Sequence, residues 1–456
     1  MKKNLWFIIR SLLYVILLPL VTGLLSFQTN RSISSPSKLS NAASNYSYEV
    51  LGKWMTMQAK VMSTTIASFN GPFIRVFSYS GIAAYEAIRP GIQKKSSSYF
   101  SLEYFNGLGE IPAIDPGVKY HWPSSLNAAL SFINHAMFFS TSAENKHAMD
   151  SLELTLKTLF SKDADSVTIE RSAAFGKKIG RLIFNWSETD GYRFASNPYQ
   201  PPSGRGKWVP TPPNFAKPVI PYWGKLRTIV KGSIDNSQPP APPEYSEEPT
   251  SDFYKMVKEV YDVDQNMTKE QKEIALFWKD INPGFTAPGH WLHIMQQVFQ
   301  KKNARLDQAA FAYALSGMAL NDAWISCWKT RYDYNLLRPV TYIRNVMGHK
   351  EWLPFIPTPP HPEYTAGFAA MAGAIAESLI TVFGDQVSII DHTYDDFGMK
   401  PRSFGSLLAI AREAADSKFY GGIHYKLSVD VGLEQGRKVA QNIENILFQK
   451  RKSATP

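Results

Sequence analysis

"PTPPHPEYTAGFAAMA", residues 357–372, begins as an approach stiffened by Pro357, Pro359, Pro360 and Pro362. At Thr365 it turns into an alanine-rich run that reads as a helix, with Gly367 in its first turn. Such a construction fixes how the chain reaches a helix N-terminus. There the backbone N–H groups lack partners, the dipole end is positive, and a glycine lets a ligand come close. The stretch is therefore either plain capping of a buried helix or an anion site, and the surrounding residues have to decide.

Outward from this stretch the periodicity is helical in both directions. From about Tyr48 to Phe194, "LGKWMTMQAKVMSTTIASF", "RVFSYSGIAAYEAI", "SSLNAALSFINHAMFF" and "MDSLELTLKTLFSKD" place apolar residues at three- and four-residue intervals, and the pattern resumes from Asp252 to Leu447. Strand-like alternation is scarce, so the fold class is all-α with few or no strands. Between the two helical stretches, residues 198–249 carry 13 of the 30 prolines. That density, with Trp208, Phe215, Tyr222 and Trp223 seeking burial, predicts an irregular wrap rather than a flexible linker.

A chain of 456 residues with 44% hydrophobic and 19% charged residues can bury a large core. Its 49 basic against 39 acidic residues give a net charge of +10. The basic residues form no long run and no Gly-rich phosphate loop, so nucleic acid is not an expected partner; anionic small ligands or a membrane surface are. The single Cys327 excludes an internal disulfide and thiolate metal clusters. At the N-terminus, Lys2, Lys3 and Arg10 precede an apolar stretch from Leu12 to Leu25. Residues 1–27 are therefore expected to be a signal peptide or membrane anchor, and the protein to be exported, periplasmic or membrane-anchored facing outside the cytoplasm. Residues 28–46 read as a polar tether, and residues 47–450 as one large helical domain, with the chemistry concentrated in 310–445.

Three constellations fall in that last part. In "CWKTRYDYNLLRPVTYIR", Arg331 and Arg338 stand seven residues apart, a spacing that predicts one helix face, with Pro339 ending or kinking the helix. Two guanidiniums among Trp, Tyr and Leu need either carboxylate partners or a shared anion. The second constellation is the opening stretch with Gly367. In the third, "SKFYGGIHYKLSVDVGLEQGRKVA", Lys418 precedes His424 by six residues, and Gly421 and Gly422 between them allow close approach to a compact ligand. Taken singly, His424 reads as a hydrogen-bonded core histidine; taken together, the set reads as an oxyanion cradle.

These residues resemble the vanadium-dependent haloperoxidases and their relatives, the type 2 acid phosphatases, which carry K-x6-R-P, then P-S-G-H or T-S-G-H, then S-R-x-x-G-G-x-H. "RYDYNLLRPVTYIR", "HPEYTAGFAAMAGAIAE" and "SKFYGGIHYKLSVDVGLEQGRKVA" are similar to those motifs, and "YHWPSSLNAAL", "WSETDGYRF" and "ALFWKDINPGFTAPGHW" extend the likeness upstream. The resemblance implies a helical-bundle fold and a site for vanadate or phosphate. Arg331 would stand for the family's Lys, Arg338 for its first Arg, Gly367 for its Gly and Lys418 for its second Arg. His424 would be the catalytic histidine and the vanadium ligand. The substrates implied are hydrogen peroxide and a halide, or a phosphate ester.

The chain departs from the family pattern at Ala366 and Phe368, which stand where a Ser and the acid-base His are expected. Loss of a positioned acid-base costs roughly 10²–10⁴ in rate, so weakened or altered catalysis is expected. His361 is a possible substitute. Ser428 stands where some phosphatase members have an Asp that orients the terminal His. Two alternatives remain: an oxyanion-binding scaffold without turnover, and a metal-dependent hydrolase using His361, Asp391, His392, Asp395 and Asp396, although "DHTYDD" reads more readily as a solvated loop.

Overall fold

The computed structural model describes residues 42–65, 71–100, 104–280 and 285–453, all within one compact unit. The expected export segment and residues 28–41 of the tether lie outside the described residues.

Thirteen α-helices are present among the described residues. The first group is α1 (Glu49–Thr64), α2 (Gly71–Ile88), α3 (Trp122–Met137), α4 (Ala143–Phe160) and α5 (Ser166–Ser187). After the proline-rich wrap come α6 (Asp252–Gln265), α7 (Lys269–Phe277), α8 (Ala287–Lys301), α9 (Leu306–Tyr334), α10 (Pro339–Asn345), α11 (Gly367–Phe383), α12 (Leu407–Tyr420) and α13 (Lys426–Ser453). The only sheet described is a two-stranded antiparallel pair of β1 (Ile389–Asp391) and β2 (Arg402–Phe404). The all-α expectation holds. No described helix is long and apolar enough to cross a membrane.

Helix α9 is the axis of the fold. Nearly every residue from Leu306 to Thr330 is buried, because its alanines and single Gly317 let α2, α11 and α13 pack around it. Between α11 and α13 the backbones touch: a Cβ at Gly436 would lie 1.9 Å from Ala370 O, and one at Gly432 would lie 2.7 Å from Ala366 O. Only glycine permits this approach, which presses α13 against the start of α11. Ala366 N–H then donates to Ser428 O at 3.0 Å, fixing where α11 begins.

The wrap behaves as a strap. Trp208 and Trp223 are buried as expected, but Phe215 is 63% exposed, because its φ of +47° turns the side chain off the core. Asp322 of α9 accepts Ile229 N–H, Val230 N–H and the Ser233 hydroxyl at 2.7–3.0 Å, tying the strap to the central helix. The strap also reaches the proline-rich approach: Val219 N–H donates to Pro360 O at 3.0 Å, and the Tyr364 hydroxyl donates to Pro240 O at 2.7 Å. Extended, proline-stiffened backbone thus holds the segment before α11 from outside.

Candidate active site

The two arginines do not share a helix. α9 ends at Tyr334 with Asn335 in the left-handed conformation, and Arg338 is the N-cap of α10. The break comes four residues before Pro339 because Asn335 takes the left-handed C-cap that asparagine tolerates. The side chains meet nonetheless. Arg331 Nη1 and Arg338 Nη2 both contact Nδ1 of His361, the latter at 2.8 Å. Arginine only donates, so this Nδ1 is an acceptor and its proton is on Nε2. The 3.2 Å approach of the same Nδ1 to Pro362 O is then a contact between two acceptors; that carbonyl already takes a hydrogen bond from Arg331 Nη1 at 2.7 Å.

Arg338 is fully buried. Its Nε donates to His361 O at 2.9 Å, and its Nη1 donates to Ile423 O at 2.8 Å and to Nε2 of His424 at 3.3 Å. Arg331 donates through Nε to Cys327 Sγ at 3.4 Å and lies over the Trp328 ring, 5.0 Å from its centroid. Burial, with Arg331 alongside, pushes the Arg338 guanidinium down to about 9. Burial and the two arginines hold both His361 and His424 well below the ordinary imidazole value, so both rings are neutral.

His424 stands in the link between α12 and α13. Gly422, at φ +74°, turns the backbone there, and a side chain at that position would also press on Pro354. On its other nitrogen, Nδ1, His424 meets Glu363 Oε1 at 2.6 Å; the same oxygen accepts Tyr425 N–H at 3.2 Å. Glu363 is completely buried, and that burial, only partly offset by Arg338 and Arg331, raises its carboxyl to about 7.

Lys418, in the last turn of α12, completes the group. Its ammonium donates to Trp278 O and lies 3.8 Å from the centre of the Phe368 ring. Burial lowers its pKa to about 8. Gly367 begins α11 between aromatic walls: a Cβ there would lie 3.2 Å from Trp324 and 3.3 Å from Trp328, whose rings stack at 4.3 Å. Trp328 in turn tilts against His361 at 5.0 Å. No side chain caps α11, leaving backbone donors at its N-terminus.

Among the described residues no carboxylate lies within salt-bridge reach of Arg331, Arg338 or Lys418; carbonyls, imidazoles, a thiol and aromatic faces surround them. This donor set fits a tetrahedral oxyanion, with cations and backbone N–H groups to hold its oxygens and a bare imidazole nitrogen beside them. Sequence reasoning missed Glu363. A signal existed, since only Glu351 and Glu363 are acidic between Asp333 and Glu377.

The residues of the metal-hydrolase alternative separate. His361 belongs to the arginine pair. Asp391 is not in a solvated loop but fully buried in β1, accepting from His290 at 2.8 Å, because the β1–β2 pairing turns it inward. His392 and Asp395 pair with each other at the surface at 2.7 Å, and Asp396 is exposed. No described group of three or more His, Cys, Asp or Glu residues is placed to hold a metal ion.

This is a helical domain with a buried cationic cluster, no described carboxylate within salt-bridge reach of it, and an unprotonated histidine nitrogen alongside. The chain belongs to the vanadium-dependent haloperoxidase family. It is 32% identical to a protein whose crystal structure is described as that of the first bacterial vanadium-dependent iodoperoxidase, covering 88% of this chain and 96% of that one with a TM-score of 0.78. Residues 311–452 match the family model described as the VCPO second helical-bundle domain. The holo and apo forms of a bacterial vanadium-dependent chloroperoxidase share the fold at TM-scores of 0.62 and 0.61, each with 16% identity. They cover 86% and 85% of this chain, and 96% and 95% of their own. No curated protein matches the chain.

Proposed function

We propose that the chain holds vanadate in this cluster and oxidises a halide with hydrogen peroxide, with proton transfer weakened by Phe368. The observation that carries this is the convergence of Arg331 and Arg338 on one acceptor beside His424, with no described carboxylate within salt-bridge reach and Glu363 the buried carboxyl nearby. Buried guanidiniums left unpaired are costly, and an oxyanion removes that cost. Arg331, Arg338, Lys418 and the Gly367 N–H would hold the oxygens, and His424 Nε2 would be the vanadium ligand. When bound, vanadate supplies the electrophilic centre that activates peroxide.

The overall reaction, X⁻ + H₂O₂ + H⁺ → HOX + H₂O, consumes one proton, which a side chain or solvent has to deliver. Phe368 holds none. His361, the imidazole in contact with the cradle, is neutral and its Nδ1 accepts from both guanidiniums, so it has no proton to spare and solvent would deliver one, which keeps turnover slow. The stacked Trp324 and Trp328 rings wall the start of α11.

The same cradle suits phosphate, and an oxyanion-binding role without turnover is favoured by Phe368 lying against Lys418. Titrating the purified protein with vanadate and with phosphate, then assaying iodide and bromide oxidation and ester hydrolysis on the same sample, separates the readings. Vanadate binding with slow iodide oxidation is the expected result. Binding without turnover selects the scaffold role, and no binding of either anion sinks both. The basic and apolar opening of the sequence favours export, with the domain working outside the cytoplasm.

A further inference from the structure

We propose that Glu363 is the positioning residue of the site: it fixes the tautomer and ring plane of His424, so that the lone pair of Nε2 is held toward the cradle. The inference rests on the vanadate reading above only for its consequence. The geometry stands by itself.

A donor that has no choice sets the protonation of His424. Arg338 Nη1 points at Nε2 at 3.3 Å, and a guanidinium cannot accept, so Nε2 carries the lone pair. With Nε2 taking a donor, the ring proton of neutral His424 is on Nδ1, which donates at 2.6 Å to Glu363 Oε1, an oxygen that also accepts Tyr425 N–H. Glu363 is itself fixed, because its backbone N–H donates to Leu336 O at 3.0 Å in the segment between Arg331 and Arg338. Ser428, four residues after His424, hydrogen-bonds the Glu363 carboxylate as well and helps to hold it in place. A fully buried carboxylate is a costly structural device, and its placement makes sense through the histidine it orients.

The carboxylate thus comes from the approach to α11 rather than from the position four residues after His424, where Ser428 stands. A partner on the far nitrogen of a metal-binding histidine fixes its orientation and strengthens its basicity, and removing such partners costs about 10–100-fold in metal affinity or activity.

The test has two parts, both on the full chain. Nitrogen-15 NMR of histidine-labelled protein, with His424 assigned by difference against His424→Asn, should show a bare Nε2 and a protonated Nδ1 without any anion present. A proton on Nε2 in the wild type overturns the proposal, whatever the fate of the vanadate reading. Next, calorimetric titration of Glu363→Ala and Glu363→Gln with vanadate and with phosphate should show Glu363→Ala losing at least about tenfold in vanadate affinity. Phosphate, held by charge alone, should change less than about threefold, and Glu363→Gln, which keeps an acceptor oxygen, should retain the tautomer and most of the vanadate affinity. An equal loss for both anions, or no loss for either, overturns the proposal. If the wild type binds no vanadate, the earlier reading fails and the NMR result alone decides the role of Glu363.

Discussion

Two buried histidines in this fold meet opposite environments. His424 lies among Arg338, Arg331 and Lys418, and those charges, added to burial, keep its ring neutral with one unprotonated nitrogen. His290 lies between Asp280 at 2.9 Å and Asp391 at 2.8 Å, with its ring stacked on Trp278 at 4.4 Å. There the carboxylates win against burial and raise its pKa to about 10. Both rings are fully enclosed, so burial alone decides neither state; the sign of the neighbouring charge does. The saturated imidazolium has no atom left for chemistry and acts as a clamp, whereas the neutral one keeps a nucleophilic nitrogen. The regions also touch, since Trp278 stacks on His290 and its carbonyl receives the Lys418 ammonium.

The sharpest way to break this contrast is to empty the clamp. His290→Leu leaves Asp280 and Asp391 buried without their cation, a change expected to destabilise the fold by about 3–5 kcal/mol. Denaturant unfolding measures it, and a loss below about 1 kcal/mol would mean that the aspartates hold protons instead. Adding Asp280→Asn and Asp391→Asn should recover part of the loss.

The cradle can be probed in the opposite sense, by adding an imidazole. Phe368→His with Ala366→Ser should raise halide oxidation by about 10²-fold or more, the scale of a positioned acid-base. Vanadate affinity should move less than about tenfold, because charge and helix dipole supply most of the attraction. Fast wild-type turnover that survives Phe368→Ala but not His361→Ala would show that His361 already performs the step.

Acidity and alkalinity should act on the clamp at separate ends. The folded His290 titrates near 10, above its ordinary 6.5, so its contribution is complete below pH 6.5 and fades as pH climbs toward 10. Asp391 titrates near 2, below its ordinary 3.8, so its contribution is complete above pH 3.8 and fades as pH falls toward 2. From this pair stability should be flat between about pH 4 and 6.5 and decline on either side. His290→Leu should lose the alkaline slope; a variant that keeps it would assign that slope to another group.

How much of this was legible in the sequence follows from what each feature depends on. The helical class was, because three- and four-residue periodicity is local. The family resemblance implied that Arg338 and His424 come together, and they do, whereas the seven-residue spacing of the arginines misled because the helix ends between them. The helix break at Asn335 was not, since asparagine is compatible with both a helix end and a helix interior. Glu363 was hidden because its partner is 61 residues away, across a turn that only Gly422 permits. Asp391 was misread for the same reason: its partner His290 lies 101 residues earlier.

The smallest expected effect concerns the start of α11. Ser142, Asp165, Ser251, Thr268, Thr286 and Ser406 cap α4, α5, α6, α7, α8 and α12, each side-chain oxygen accepting an N–H three residues on. Ala366 has the extended cap conformation, φ −73° and ψ 113°, but no oxygen to offer. A hydroxyl restored there has two possible uses. In the free protein it would accept Ala369 N–H as an ordinary cap, worth about 0.5–2 kcal/mol of stability. With an anion bound it would donate instead, worth about 0.5–1.5 kcal/mol of affinity, and the two gains compete because the cap is given up when the hydroxyl turns. Ala366→Ser alone should therefore raise the thermal midpoint measurably while improving phosphate affinity no more than about threefold. A large gain in affinity with no change in thermal midpoint would show that the backbone donors of α11 are already taken up elsewhere, and that the hydroxyl in the cradle acts on the anion alone.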